Sequence, residues 1–328
     1  MYKSSSRTDG QSGALAGKAT ITVAVLTFRR PDLLEVSLRS LLHRLPLTTE
    51  PQPINGSHHR TWQVLEILVV DNDTTPTARE KVSTFGHDLI RYVHEPQPGL
   101  AAARNRALDE AHGTVLVFID DDETAGPLWP QGLVDTMDTT GAALVGGPVE
   151  TVFTHSPADW VEAGGFFDRP SDPDNSTQHW LRSGNLAIDL AQTQRINLRF
   201  HPAFGLSGGE DVAFSRQARS HGLDLRWSAT ASVSESVGPD RTNLKWLYHR
   251  QQNSACNWTR VDVMLDRRPL TYGKAIARAT IRLAQGLAYT FAGLATGNRV
   301  RTNQGLMLVA RSHGTYTGLI GRHSTPYS

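Results

Sequence analysis

Thr114-Val-Leu-Val-Phe-Ile-Asp-Asp-Asp-Glu123 runs from uninterrupted apolar residues directly into a string of carboxylates. A short apolar run rich in β-branched and aromatic residues suits a strand buried on both faces, as in a parallel sheet. Two comparable runs precede it, Thr20-Ile-Thr-Val-Ala-Val-Leu-Thr27 and Val64-Leu-Glu-Ile-Leu-Val-Val70. Helical segments alternate with these strands. Pro31 opens an amphipathic stretch from Asp32 to Leu45, at a position where its missing N–H would have no intrahelical partner. A short helix near Thr77 to Phe85, a strand near Leu89 to Val93 and an alanine-rich helix from Gly99 to His112 follow, with Gly113 placed to stop that helix. The alternation predicts an α/β fold with a mainly parallel sheet and right-handed crossovers. Ligands of such sheets sit beyond the carboxyl ends of the strands, where Asp71, Asp73 and the acidic triplet emerge.

After Gly146-Gly-Pro148 the regularity weakens. Residues 151–182, rich in Pro, Asp and aromatics, read as a long functional loop. Ser183-Gly-Asn-Leu-Ala-Ile188 reads as a turn entering a strand. Gly205-Leu-Ser-Gly-Gly-Glu-Asp211 reads as a glycine-rich turn opening a helix over Val212 to His221, ended by Gly222, with a strand over Leu223 to Trp227. Helical patterns run from Asn243 to about Arg268 and from Gly273 to Ala295. Residues 48–61 form a polar insertion read as a solvated loop, whose His58 and His59 lack the further ligands a metal site needs.

The charge balance, 33 Lys and Arg against 32 Asp and Glu, provides no general basic field for nucleic acid. The single cysteine, Cys256, excludes an internal disulfide framework and a multi-cysteine zinc site; it reads as a packing residue in a protein of a reducing compartment. Residues 1–18, rich in Ser, Gly and Ala, read as a disordered leader, not as a signal peptide. No apolar stretch reaches the ~20 residues that span a bilayer, so a soluble, cytoplasmic protein is expected.

Three adjacent carboxylates, Asp120, Asp121 and Asp122, repel one another unless protons or a cation neutralise them, and a hard Mg²⁺ or Mn²⁺ fits such a cluster. The competing reading is a solvated acidic turn. Asp71 is placed to accept donors from a base or ribose, or simply to build a turn. Arg104, one turn into its helix, is placed for a diphosphate, a base or a surface ion pair. Glu210 and Asp211 stand at a helix N-terminus, where the dipole keeps a carboxylate ionised, as a general base requires; helix capping accounts for them equally well. Neither Gly-x-Gly-x-x-Gly nor a phosphate-binding Gly-x-x-x-x-Gly-Lys loop follows the first strand, so the nicotinamide and P-loop classes are set aside.

Taken in order, Val23-Ala-Val-Leu-Thr-Phe-Arg-Arg-Pro31, Glu66-Ile-Leu-Val-Val-Asp-Asn-Asp73, Gly99-Leu-Ala-Ala-Ala-Arg-Asn105, Phe118-Ile-Asp-Asp-Asp-Glu123 and Gly208-Gly-Glu-Asp-Val-Ala-Phe214 resemble family 2 glycosyltransferases, and most of all their bacterial exopolysaccharide (succinoglycan-type) branch. The resemblance covers residues 20 to about 250. It implies a GT-A fold, with a Rossmann-like mixed, mainly parallel sheet flanked by helices, and inversion at the anomeric carbon. The implied division is a 19–245 catalytic domain, with a nucleotide-binding half (19–125) and an acceptor half (126–245), followed by a helical C-terminal region (246–328). In that family's terms Thr27, Arg29 and Asp71 line the nucleoside pocket and Arg104 lies near the base or diphosphate. Asp120 and Asp122 hold a divalent metal (Mn²⁺ or Mg²⁺) as the ends of a DXD motif, with Asp121 between them. Asp211 is the base, Glu210 shapes acceptor contacts, Asn185 lines the donor sugar or acceptor, and Arg241 meets the diphosphate. The implied donor is a nucleotide diphosphate-sugar, first of all a UDP-sugar, and the acceptor a sugar, a lipid-linked glycan or a small molecule.

Two departures matter. The insertion at 48–61 lengthens the first helix-to-strand connection. The Gln-x-x-Arg-Trp signature of processive members is replaced by His249-Arg-Gln-Gln-Asn253, which favours addition of a single sugar. The alternatives are a sugar-nucleotide nucleotidyltransferase, which would need a Gly-rich basic loop where Thr27 to Pro31 stands, and a non-catalytic nucleotide-sugar binding protein. Ala275 to Ala295, with Arg278 and Arg282 among Ile276, Ile281, Leu283, Leu287, Phe291 and Leu294, reads as an amphipathic helix. It either packs on the catalytic domain or touches the inner face of a membrane as a peripheral anchor. Leu306 to Ile320 extends either arrangement.

Overall fold

The computed structural model describes residues 18–46, 50–55, 61–169 and 171–322. The expected leader, but for Lys18, and the His58-His59 pair lie outside the described residues. The first half alternates as its apolar runs require: β1 (Lys18–Thr27), α1 (Pro31–Arg44), the short β2 (Gln52–Pro53), β3 (Thr61–Asp71), α2 (Arg79–Ser83), β4 (Ile90–His94), α3 (Leu100–Glu110) and β5 (Val115–Asp120). There follow β6 (Glu123–Ala125), α4 (Gln131–Thr140), β7 (Leu144–Gly146), β8 (Val149–Phe153), α5 (Asp159–Glu162), β9 (Asn185–Asp189), α6 (Leu190–Arg195), α7 (Glu210–Ser220), β10 (Leu225–Trp227) and β11 (Val233–Val237). Three helices close the chain, α8 (Leu244–Leu265), α9 (Pro269–Ala295) and α10 (Arg299–Leu319).

The main sheet runs β10-β7-β9-β5-β1-β3-β2, with β4 also on β3. β1 pairs in parallel with β3 and β5, while β9 enters antiparallel between β5 and β7, so the sheet is mixed and mainly parallel. A second sheet, β6-β11-β8, stands beside it. The registers Thr27↔Asp71 and Leu26↔Asp120 bring the ends of three strands to one edge. That alignment places the acidic loop.

One local detail corrects the sequence reading and a second adds to it. α3 ends at Glu110, before Gly113. Gly113 is needed where the chain crosses β1: a Cβ there would lie 2.6 Å from the Thr20 carbonyl oxygen. β3 carries a register shift opposite Ile21 and Thr22 that skips Leu65 and turns Glu66 inward. Burial raises the pKa of Glu66, but the Arg91 guanidinium (2.7 Å), the His112 N–H (3.0 Å) and the Thr22 hydroxyl (2.8 Å) outweigh it and hold the carboxyl below its usual range.

The C-terminal helices pack through small residues. A Cβ on Gly314 would lie 2.0 Å from the Gln252 carbonyl oxygen, and one on Gly318 2.6 Å from that of Cys256, so α10 lies with its backbone against α8. The large apolar side chains of α9 do not form its buried face. Ala275, Ala279, Gly286 and Gly293 do, while Ile276, Ile281, Leu287, Phe291 and Leu294 are exposed. α8 joins the first part of the chain through two apolar clusters, Leu247 with Val161, Phe167 and Val237, and Val261 with Phe204 and Val212.

A depressed carboxylate pKa stabilises the fold above the unfolded value of about 4.3, and that contribution fades as pH falls through the folded value. Glu66→Gln is therefore expected to cost about 2 kcal/mol at pH 7, less than the cost of breaking a fully buried pair because Arg91 is partly solvated. Urea unfolding at pH 7 and below pH 4 checks this: the gap between variant and wild type should narrow at the lower pH.

Candidate active site

The acidic loop begins where β5 ends. Its alternating direction sends each aspartate to a different partner. Asp121 turns back to the first strand, accepting from the Thr27 hydroxyl at 2.8 Å and lying 3.5 Å from Arg30. Asp122 is held by Arg241 at 2.8 Å and lies 3.4 Å from Arg30. Asp120 lies 3.8 Å from Arg104. Its backbone N–H donates to Glu123 at 3.0 Å. Gly184, at the entry to β9, packs directly under these carboxylates: a Cβ would come within 2.8 Å of Glu123 and 3.0 Å of Asp120.

Glu123 and Glu235 complete the cluster, and neither was singled out by the sequence reading. Glu235 stands directly opposite Glu123 in the β6-β11 ladder, a like-charge pairing that Arg169 and Arg241 offset by binding Glu235. The carboxylates still outnumber their cations. Burial, then repulsion from Asp122, Glu235 and Asp211, outweighs Arg104 and pushes Asp120 up to about 6. Burial and neighbouring aspartates push Asp121 up to about 7 despite Arg30 and Thr27, and burial with Asp120 beside it raises Glu123 well above the usual range. Among the described residues no three acidic, His or Cys side chains converge as a ready-made metal cage. Asp120 and Asp122 nevertheless offer the one or two carboxylates that a hard cation needs when phosphate oxygens supply its other ligands.

Several expected positions serve the protein's own framework. Asp71 accepts from the Tyr92 hydroxyl (2.8 Å), the Ala78 N–H (2.7 Å) and the Thr77 hydroxyl (3.3 Å). The Asn185 amide is fully engaged, accepting from the Trp129 indole at 3.0 Å and donating to the carbonyls of Pro148 (3.0 Å) and Ala231 (2.6 Å). Arg29, with φ of 55°, turns out to pair with Asp73 at 2.9 Å. Arg104 lies on neither a solvent face nor an open groove: it is buried, ion-paired to Glu210 and 5.9 Å over the Phe200 ring. Glu210 is equally buried. Burial and the adjacent Asp211 push it up to about 7 against the pull of Arg104.

Asp211 differs from its neighbour. It is half-buried, lines a cleft, accepts from the Val212 N–H at 2.7 Å and has no cation within ion-pair distance among the described residues. The turn before it depends on glycine, with φ of 81° at Gly208 and 88° at Gly209. A Cβ on Gly209 would meet Asn257 of α8 at 2.8 Å. Asn257 and Arg260 also bond the turn directly, to the Ser207 carbonyl (2.6 Å) and the Ser207 hydroxyl (2.7 Å).

A mixed sheet with an acidic loop at the carboxyl edge of β5, facing a second carboxylate at the head of α7, is the plan of a GT-A sugar transferase. The family model described as "Glycosyl transferase family 2" matches residues 22–202, more than half of the chain, and the protein belongs to that family. It is 30% identical to the "Succinoglycan biosynthesis protein ExoM" of Rhizobium meliloti (strain 1021), over 92% of this chain and 93% of that protein. Among solved structures, the mannosyltransferase PcManGT from Pyrobaculum calidifontis, in complex with GDP-Man and Mn²⁺, is similar with a TM-score of 0.57 at 18% identity, covering 94% of this chain and 89% of that one. GalNAc-T7 with UDP, GalNAc and Mn²⁺ is similar at a TM-score of 0.56 and 15% identity, over 80% of this chain, which spans about half of that one (51%). The protein is a glycosyltransferase, and the nucleotidyltransferase alternative falls away.

Breaking the Arg104–Glu210 pair leaves a charge in the interior, so Glu210→Gln and Arg104→Met should each cost about 3–5 kcal/mol. The double variant Arg104→Met/Glu210→Leu should recover most of that loss in chemical denaturation. Additive losses would show that the two side chains do not act as a unit.

Proposed function

We propose that the protein transfers one sugar from a nucleotide diphosphate-sugar to an acceptor hydroxyl, by direct displacement with inversion. The observation carrying this reading is the contrast at the head of α7: Glu210 is committed to Arg104, while Asp211 opens onto the cleft with no ion-pair partner among the described residues. Asp211 is then the base that takes the acceptor proton as the hydroxyl attacks. The transition state is oxocarbenium-like, and negative charge grows on the departing diphosphate. Asp120 and Asp122 would hold a divalent Mn²⁺ or Mg²⁺. Such an ion supplies charge stabilisation to the leaving diphosphate. Arg241, already at Asp122, is placed to add a second positive charge there, and Arg30 stands at the other side of the same carboxylate.

For the nucleoside we assign the edge formed by Thr27, Arg29 and Asp71. Thr27 and Asp71 end paired strands, and the Arg29–Asp73 pair fixes the rim beside them. A UDP-sugar is the first donor to test, with a GDP-sugar next; UDP and GDP-Man are the ligands named for the two similar structures. Likeness to a succinoglycan biosynthesis protein supports a place in polysaccharide biosynthesis.

A peripheral membrane contact is favoured by α9. Phe291 is 68% exposed, Leu294 63% and Ile281 56%, along a helix face that carries no charge between them. No helix among the described residues is long and apolar enough to cross a membrane. An apolar face of this kind, lying flat with arginines alongside, suits an anionic bilayer surface.

Asp211→Asn should lower transfer by about 10²–10⁴-fold while nucleotide affinity stays near wild type, and Asp122→Ala should weaken nucleotide binding only when Mn²⁺ is present. Nucleotide release assays and calorimetry with and without Mn²⁺ read both; normal turnover in Asp211→Asn would overturn the base assignment. Phe291→Glu/Leu294→Glu should reduce sedimentation with anionic liposomes without changing transfer to a soluble acceptor. Unchanged co-sedimentation would exclude α9 as the contact.

A further inference from the structure

Beyond Asp211 the cleft widens to about 940 Å³, walled on one side by the loop through Arg169 and Arg182 and on the other by α8 and α10. Two cations in it have no use in the mechanism above. Arg182 and Arg250 make neither a hydrogen bond nor an ion pair with any described residue, whereas the nearby Arg169 and Arg241 are taken by Glu235 and Asp122. Both instead lie over aromatic rings. Arg182 is 4.9 Å from the Trp180 ring centre, and Arg250 is 5.1 Å from that of Trp246 and 5.2 Å from that of Phe167.

Cation–π stacking alone accounts for rings beside exposed arginines. It does not account for guanidinium groups gathered within one concavity. Burial, and then repulsion from Arg169 and Arg182, pushes Arg250 down to about 10, and burial followed by Arg169 also lowers Arg182. Glu235 acts on both guanidinium groups and Asp211 on Arg182, but neither carboxylate comes within ion-pair distance, so the two arginines keep free donors in a recess lined by indole rings. A guanidinium presents paired donors that match phosphate oxygens, and flat aromatic faces suit sugar rings beside them. The cleft also reaches Tyr289 of α9, so a ligand in it would lie close to the apolar face of that helix.

We infer that this cleft selects acceptors carrying a phosphate or diphosphate group, with Arg182 and Arg250 as the partners of that anion. The inference rests on Asp211 marking the acceptor side of the site. The donor diphosphate belongs to the opposite side, where Asp120, Asp122 and Arg241 stand. Arg182 and Arg250 are specificity residues: they fix which acceptor is held with its hydroxyl toward Asp211 and take no part in bond making.

The test is a tryptophan-fluorescence titration of the full chain with inorganic pyrophosphate, in EDTA and at constant ionic strength; Trp180 and Trp246 lie against the two arginines and report on them. A saturable response is expected, with the Kd raised about tenfold or more in Arg182→Gln/Arg250→Gln, as loss of charge-assisted hydrogen bonds requires. Arg182→Lys/Arg250→Lys should keep most of the affinity, which separates lost charge from lost packing. An unchanged Kd in the Gln double variant overturns the inference. So does a response that Arg241→Gln abolishes and the Gln double variant does not, because the anion would then sit on the donor side. Replacing pyrophosphate by geranyl diphosphate and by glucose 1-phosphate identifies the source: tighter binding of the first assigns a lipid-linked acceptor, and of the second a soluble sugar phosphate. No turnover is scored, so failure of the Asp211 assignment and failure of the anion site are read separately.

Discussion

The buried guanidinium of Arg104 is the interaction on which the arrangement of the site depends. It leaves α3 in the first half of the chain, lies within 3.8 Å of Asp120 at the end of β5, and pairs with Glu210 at the head of α7. A charge this deep is tolerated only if its partners stay in place. It therefore ties the acidic loop to the turn that presents Asp211. The backbone makes the same link nearby, where the Leu100 N–H donates to the Gly205 carbonyl at 2.9 Å and Gly99, with φ of 117°, lets the two chains approach. The acidic loop and the turn that presents Asp211 are thus held in one register by a buried cation.

α8 then acts on the same turn from outside. Asn257 and Arg260 hold Ser207, and Gly209 packs under Asn257. The helical region after residue 244 is in this sense part of the site: it fixes the Asp211 turn, contributes Arg250 and Trp246 to the cleft wall, and carries α9 with its exposed apolar face. Small residues make this packing close. With glycine at 314 and 318, α10 can lie directly on the α8 backbone, leaving the large side chains of α9 directed away from the bundle.

Much of this was legible from sequence wherever a local pattern decides the outcome. Uninterrupted Val, Ile and Leu runs placed β1, β3 and β5, and parallel registration brought Thr27, Asp71 and Asp120 to one edge. What escaped depends on partners far along the chain. Nothing local says that Arg104 will meet a glutamate 106 residues later, or that the Asn185 amide will be used up by Trp129 and two carbonyls. Gly113 looked like a helix stop because the strand it crosses is invisible in the local sequence. Glu123 did carry a signal, as a fourth carboxylate in the same run. Arg182 and Arg250 carried none, one lying in an irregular loop and the other in a polar helix. α9 was legible as amphipathic, but the side it would bury was not, since its small residues proved to be the packing face.

The central claim is a single displacement, with Asp211 on one side of the sugar and the acidic loop on the other. The anomeric configuration of the first product tests it most directly. With the donor that a nucleotide-sugar panel selects, proton NMR should show that an α-linked donor yields a β-configured transfer product, or β-sugar on slow hydrolysis, before mutarotation. An α-configured first product would mean that the configuration is retained and that Asp211 does not act as the base of a direct displacement.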